Sequence, residues 1–169
     1  MKAQTELLIF ILMFLLSISI FVISVTWSRD VFQQNVGMTE VSLAEKFMKG
    51  LDYNIKSIIE YGGFKDIDYN IDGPISLIDN KTIEVRTVVP SVISVSKEWN
   101  TISSEKSYIR EMLDGDVFRI QLNYPDSDYK IILFTDGPSL ARPERVRIEK
   151  NSTYVDNDLT TIKIRITFI

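Results

Sequence analysis

The residues from Leu7 to Ser28, LLIFILMFLLSISIFVISVTWS, include no charged side chain. At 1.5 Å per residue the run makes a helix of about 33 Å, enough to cross a hydrocarbon core of about 30 Å. Leu, Ile, Phe and Val fill most of it, and their summed transfer favours insertion by roughly 5–9 kcal/mol before the polar residues are discounted. Ser17, Ser19, Ser24 and Thr26 are expected to bond back to helix carbonyls or to a neighbouring helix. Trp27 sits where an interfacial aromatic belongs. A cleaved secretory signal would have a shorter apolar core and a small-residue cleavage site. This run is longer and ends in a bulky indole, so an uncleaved anchor is expected. Lys2 precedes the span and Arg29-Asp30 balances the far flank, so the bias of positive charge places the N-terminus in the cytoplasm. Residues from Arg29 onward then lie outside.

The chain has no cysteine and no histidine. That excludes disulfides, Cys/His zinc sites and every catalytic device that needs an imidazole or a thiolate. A net charge of −4 argues against nucleic acid as a partner. Two glycosylation triplets occur, Asn80-Lys81-Thr82 and Asn151-Ser152-Thr153, both where turns are expected.

Beyond the span the periodicity becomes helical. Phe32, Val36, Leu43, Phe47, Leu51, Ile55 and Ile58-Ile59 recur mostly every four residues, with charged side chains between them. Ser42-Leu43-Ala44-Glu45 matches a capping box, Gly37 marks either a bend or a point the helix runs through, and Gly62-Gly63 is a stop signal. The stripe is expected to pack on the domain that follows, with neighbouring copies of the chain as a second cover.

From Phe64 the period is two. Ile67, Tyr69 and Ile71 alternate with polar residues, as do Ile83 and Val85, Phe118 to Tyr124, Val146 and Ile148, and Ile162 to Phe168. Such runs mark half-buried strands. Tyr129 to Thr135 is more apolar and is expected at the centre of a sheet. Asp- and Gly-rich turns separate the runs, at Asp72-Gly73-Pro74, Asp79-Asn80, Asp114-Gly115-Asp116, Pro125 to Asp128, Asp136-Gly137-Pro138, Lys150-Asn151-Ser152 and Asp156-Asn157-Asp158. Ser103 to Leu113 places Tyr108, Ile109, Met112 and Leu113 at helical spacing, which predicts a short helix. The expected fold class is α+β, a long N-terminal transmembrane and amphipathic helix followed by an antiparallel, immunoglobulin-like β-sandwich. The expected divisions are a leader-like segment at 1–6, the span at 7–28, the amphipathic helix at 29–62 and an extracytoplasmic β domain at 63–169.

Lys2-Ala3-Gln4, the nearby Glu6, an immediate apolar helix, an amphipathic extension and a β-rich C-terminal domain together resemble archaeal type IV pilin-like proteins with class III signal peptides. The resemblance implies cleavage between Ala3 and Gln4 by a prepilin-type peptidase, with the helix kept on the mature protein. It also implies self-association, the helices bundling into a filament core with β domains outside. Glu6 would then be an assembly residue that neutralises the terminal amine of a neighbouring helix. It would stand third in the mature chain, where the family's glutamate is usually fifth. On the residues alone, Glu6 also reads as a helix-start acid at the bilayer surface, favoured by the helix dipole.

One segment has the spacing of a calcium loop. From Asp68 to Asp79, Asp68, Asn70 and Asp72 fall at positions one, three and five, Gly73 at the glycine position and Asp79 at position twelve. The same residues read better as a strand followed by a turn: Asp79 is shorter than the usual bidentate Glu, Ile67-Tyr69-Ile71 alternates like a strand, and no good helix follows. Asp114/Asp116, Asp126/Asp128 and Asp156/Asp158 are paired carboxylates of the kind that serve glycoside hydrolysis, but they lie in expected turns, where Asp bonds to its own backbone. No P-loop, nucleophile elbow or dinucleotide fingerprint is present, and no enzyme is expected. The expected function is a membrane-anchored, pilin-like structural subunit in contact with lipid. The alternative is a non-polymerising anchored sandwich that binds a surface partner, a glycan or calcium.

Overall fold

The computed structural model describes residues 2–90, 95–103, 107–126, 129–156 and 159–169, and side chains among them except at 2–5 and 156. Helix α1 runs without interruption over Lys2–Tyr61, a rod of about 90 Å. Gly37 lies inside it and is buried, so the helix runs through rather than bending at a break. Ser42 sits in mid-helix and starts nothing; Glu45, expected to close a capping box, instead pairs with Lys49 one turn on at 3.1 Å. The rod ends where it should. Gly62 and Gly63 take φ of 74° and 85°, the left-handed conformation that a side chain resists. Gly62 N donates to Ile58 O, and the Lys150 ammonium reaches the free Ile59 carbonyl at 2.9 Å.

Ten strands follow. A four-stranded sheet has the order β1-β9-β10-β7, built from β1 (Phe64–Asp68), β9 (Arg145–Asp156), β10 (Leu159–Phe168) and β7 (Tyr129–Phe134). A six-stranded sheet, β4-β5-β6-β3-β2-β8, comprises β4 (Asn100–Ser103), β5 (Tyr108–Asp114), β6 (Val117–Asn123), β3 (Thr82–Val88), β2 (Ile75–Leu77) and β8 (Leu140–Ala141). Every ladder is antiparallel except β10 with β7. The fold is therefore α+β with mostly antiparallel sheets. Inward side chains of both sheets, among them Ile83, Ile120, Leu122, Ile148 and Ile164, join the last third of α1 in one hydrophobic core.

The helix contributes Val41, Ala44, Met48, Leu51, Ile55 and Ile58, at alternating steps of three and four. Phe47 is buried beside them and meets Tyr69 edge-on at 5.1 Å. Phe32 and Val36, expected on the packed stripe, stay exposed at 69% and 43% because the rod has left the domain by then.

Three further expectations fail for identifiable reasons. Tyr108 to Leu113 is strand, not helix: β5 is paired with β6 at all seven positions. Ile109 and Leu113, four apart, suit both a helix face and alternate strand positions, and the β6 ladder decides between them. Residues 104–106 of that segment lie outside the described residues. Strand β7 is an edge, not a centre; its inward Ile131 and Leu133 are buried, while Ile132 and Phe134 lie on the outer face. Asn151 is not in a turn. Strand β9 continues through it, and the register shift opposite Lys163/Ile164 makes Asn151 the extra residue of a β-bulge.

Candidate functional site

Two surfaces stand out. The first is the helix surface from Glu6 to Val36, exposed at nearly every position and holding a membrane-length apolar stretch of which 0% is buried. Among the described residues it is the one helix long and apolar enough to cross a membrane. Its hydroxyls are satisfied internally. Ser17, Ser19 and Ser24 donate to the carbonyls of Met13, Leu15 and Ile20 at 2.8–2.9 Å, and Thr26 reaches Val22 and Ile23. With those donors quenched, the surface offers lipid almost nothing polar. Trp27 is 70% exposed at the end of the run.

The second surface is the outer face of the six-stranded sheet. Along β3 and β6 the positions alternate, so Ile83, Val85, Ile120 and Leu122 enter the core and Glu84, Arg86, Arg119 and Gln121 face away from it. Glu84 is nonetheless fully buried. It accepts from Gln121 Nε2 at 2.5 Å, from Arg119 Nη2 at 2.9 Å and from Arg86 Nε. Burial alone would raise the Glu84 carboxyl; the three donors from Gln121, Arg86 and Arg119 outweigh it and hold the group below its ordinary range. Arg110 extends the network to Gln121 at 3.2 Å. The guanidinium carbons of Arg110 and Arg119 lie 5.4 and 5.6 Å from the Trp99 ring centre. Through these bonds the Glu84 carboxylate ties strands β3 and β6 together, and Arg110 brings in β5. The sequence reading passed over these residues. The signal was there in Glu84-x-Arg86 and Arg119-x-Gln121 on the polar parity of two strands, but nothing in the order of residues says those strands are neighbours.

The residues singled out from the sequence are scattered. Ala3 and Gln4 lie in the first turn of α1, with side chains outside the described residues; Glu6 is exposed one turn later. Asp68 ends β1 and pairs with Arg145 at 3.1 Å. Asn70 and Asp72 are exposed in the following loop, while Tyr69 and Ile71 turn inward. Asp79 accepts from Lys81 N and from the Thr82 hydroxyl, which shapes the β2–β3 turn. Among the described residues, no group of three or more Asp, Glu, His or Cys is placed to hold a metal ion. Gly73, assigned to the glycine position of a calcium loop, sits at a close approach of two backbones: a Cβ there would stand 1.8 Å from the Arg86 carbonyl oxygen. Of the paired aspartates, Asp114 and Asp116 flank Gly115 in the β5–β6 hairpin at φ 63°. Asp126 pairs with Lys81 at 2.7 Å. Asp128 and residues 157–158 lie outside the described residues. Asn80 and Asn151 are both exposed.

Comparison with protein-family models, with curated proteins and with solved structures gives no match.

Proposed function

We propose that the chain is a membrane-anchored, pilin-like structural subunit: the first half of α1 sits in lipid and the β-rich domain is displayed outside the membrane. The supporting observation is the continuity of α1. One uninterrupted helix carries both the exposed apolar run and the stripe that enters the domain core, so the domain is held on a stiff rod and not on a flexible tether. A rod of that kind suits parallel packing of many copies, with Glu6 near the lipid-facing start and Ala3-Gln4 as the processing site. The two sheets around a shared core are read as the expected sandwich, of immunoglobulin-like type. The balanced, ion-paired outer faces suit a solvated display surface.

The test is the intact mass of the protein recovered from its own membranes. Loss of Met1 to Ala3 supports processing by a prepilin-type peptidase, and filaments seen by electron microscopy in cell-surface fractions would support assembly. A full-length mass with no filaments would leave the second reading, an anchored domain that binds a surface partner.

A further inference from the structure

The two Asn-x-Thr triplets have the same sequence logic and opposite structural settings. In Asn80-Lys81-Thr82 the Asn80 side chain is exposed, but the threonine hydroxyl and the backbone around it are already in use. The Thr82 side chain is buried; its hydroxyl donates to Asp79 Oδ2 and accepts from Asn123 Nδ2 at 2.7 Å. Lys81 N donates to Asp79 Oδ1 at 2.7 Å, and Asn80 O accepts from Leu133 N at 2.8 Å.

Asn151-Ser152-Thr153 is open. Strand β1 covers β9 only as far as Glu149, and Lys150 N is taken by Gly63 O. From Asn151 on, among the described residues, β9 has a ladder partner on one side alone. The bulge swings the Asn151 side chain out, and Arg165 Nη2 holds its Oδ1 at 3.1 Å. The amide nitrogen makes no hydrogen bond among the described residues, and Thr153 is exposed. Beside Asn151 lies a hollow of about 230 Å³, lined also by Ile132, Phe134 and Lys163. Apolar Ile132 and Phe134 together with the polar Lys163 suit the apolar face and the hydroxyls of a pyranose.

We propose that Asn151, and not Asn80, carries an N-linked saccharide whose first sugar rests in this hollow. The donor is a lipid phosphate- or pyrophosphate-linked saccharide. The Asn151 Nδ2 forms a bond to the anomeric carbon, the bond from that carbon to the phosphate oxygen breaks, and the lipid phosphate leaves with the electron pair. One amide proton passes to a base of the transferase. The free edge of β9 gives that enzyme an extended acceptor backbone, and the Thr153 hydroxyl is available to it. The inference rests on the display of the domain outside the membrane.

The experiment is peptide mass spectrometry of the full chain purified from its own cells, alongside labelling of intact cells with a membrane-impermeant amine reagent. The expected result is a peptide containing Asn151 heavier than its sequence mass by at least one monosaccharide, with Asn80 unmodified. Asn151→Gln and, separately, Thr153→Ala should both abolish the addition, and Asn80→Gln should leave it intact. Lysines of the domain labelled from outside together with an unmodified Asn151 would overturn the glycan and leave the display reading standing. A saccharide on Asn80 in place of Asn151 would overturn it as well. An unlabelled domain with an unmodified Asn151 would overturn both.

Discussion

At the scale of single residues, the outer face of the six-stranded sheet turns on Glu84. Its carboxyl is held below the ordinary range, against the cost of burial, by Gln121, Arg86 and Arg119. A folded-state value lower than the unfolded one stabilises the protein above the ordinary carboxylate range. That contribution is lost as pH falls through this range toward the lower folded value. Glu84→Gln should therefore cost about 1–3 kcal/mol at neutral pH, with the gap from wild type closing in acid. Denaturant unfolding of the full chain in detergent at several pH values would show it; a gap that stays constant with pH would contradict the assignment. Glu111 runs the other way. Burial and then the nearby Glu45 raise its carboxyl, and its Oε2 is buried without a hydrogen bond among the described residues. It therefore favours the fold in acid, and that support fades as pH rises through its folded value. Gly73 is a third kind of residue, needed for close approach: Arg86 N donates to Pro74 O and the Thr87 hydroxyl to Asp72 O, which brings the backbones together where a methyl cannot fit.

At the scale of elements, the question is what holds the rod to the domain. Hydrophobic packing along Val41 to Ile58 supplies the area, and one buried polar latch sets the seating. Tyr124, at the end of β6, is almost wholly buried and donates its hydroxyl to Asp52 Oδ1 at 2.8 Å; Lys56 pairs with the other oxygen at 2.7 Å. Burial, and next the charge of Asp52, push the Tyr124 phenol well above its ordinary value, so it stays a donor throughout the physiological range. Tyr124→Phe removes the donor and leaves Asp52 with the half-exposed lysine as its partner. The expected cost is about 1–3 kcal/mol, seen as a lower unfolding midpoint, whereas an unchanged midpoint would show the latch to be incidental. On the other sheet the outer face is knitted by directly opposed pairs. Asp66 takes both nitrogens of Arg147 at 2.7 and 2.8 Å, and Asp68 meets Arg145. Exposed pairs like these contribute little to stability individually, about 0–1 kcal/mol, and do more to fix the register of β1 on β9.

At the scale of the whole molecule, the decisive feature is the imbalance between the two ends of α1. One end is covered by a core drawn from both sheets. The other exposes Phe10, Phe14, Phe21 and Trp27 at 58–71%. A continuous apolar surface of that extent marks a face to be covered by lipid or by another protein and is compatible with a single-pass anchor. Leu15→Arg places a charge near the middle of the run at a cost of roughly 3 kcal/mol for insertion. It should shift the protein out of the membrane fraction or misdirect it, as read by carbonate extraction, and undiminished integration would count against the anchor.

The order of residues by itself determined the rod, its stop and the change to period two. Each is a local matter: a charge-free run of membrane length, two glycines that accept positive φ, and alternation that only a half-buried strand satisfies. It also marked Asp79-Asn80 and Asp114-Gly115-Asp116 as turns, because those side chains shape their own backbone. Tertiary structure decided the rest. Ile109 and Leu113 fit a helix or a strand until β6 pairs with them. Asn151 resembles a turn until the strand beyond it finds a partner in β10 and forces a bulge. The apolar run of β7 ends up at an edge, paired with β10 alone, and Ile132 and Phe134 line an outer hollow beside Lys163. Glu84, Arg119 and Gln121 become one network only when two distant strands are laid side by side. Such contacts are long-range, and no window of sequence contains both partners.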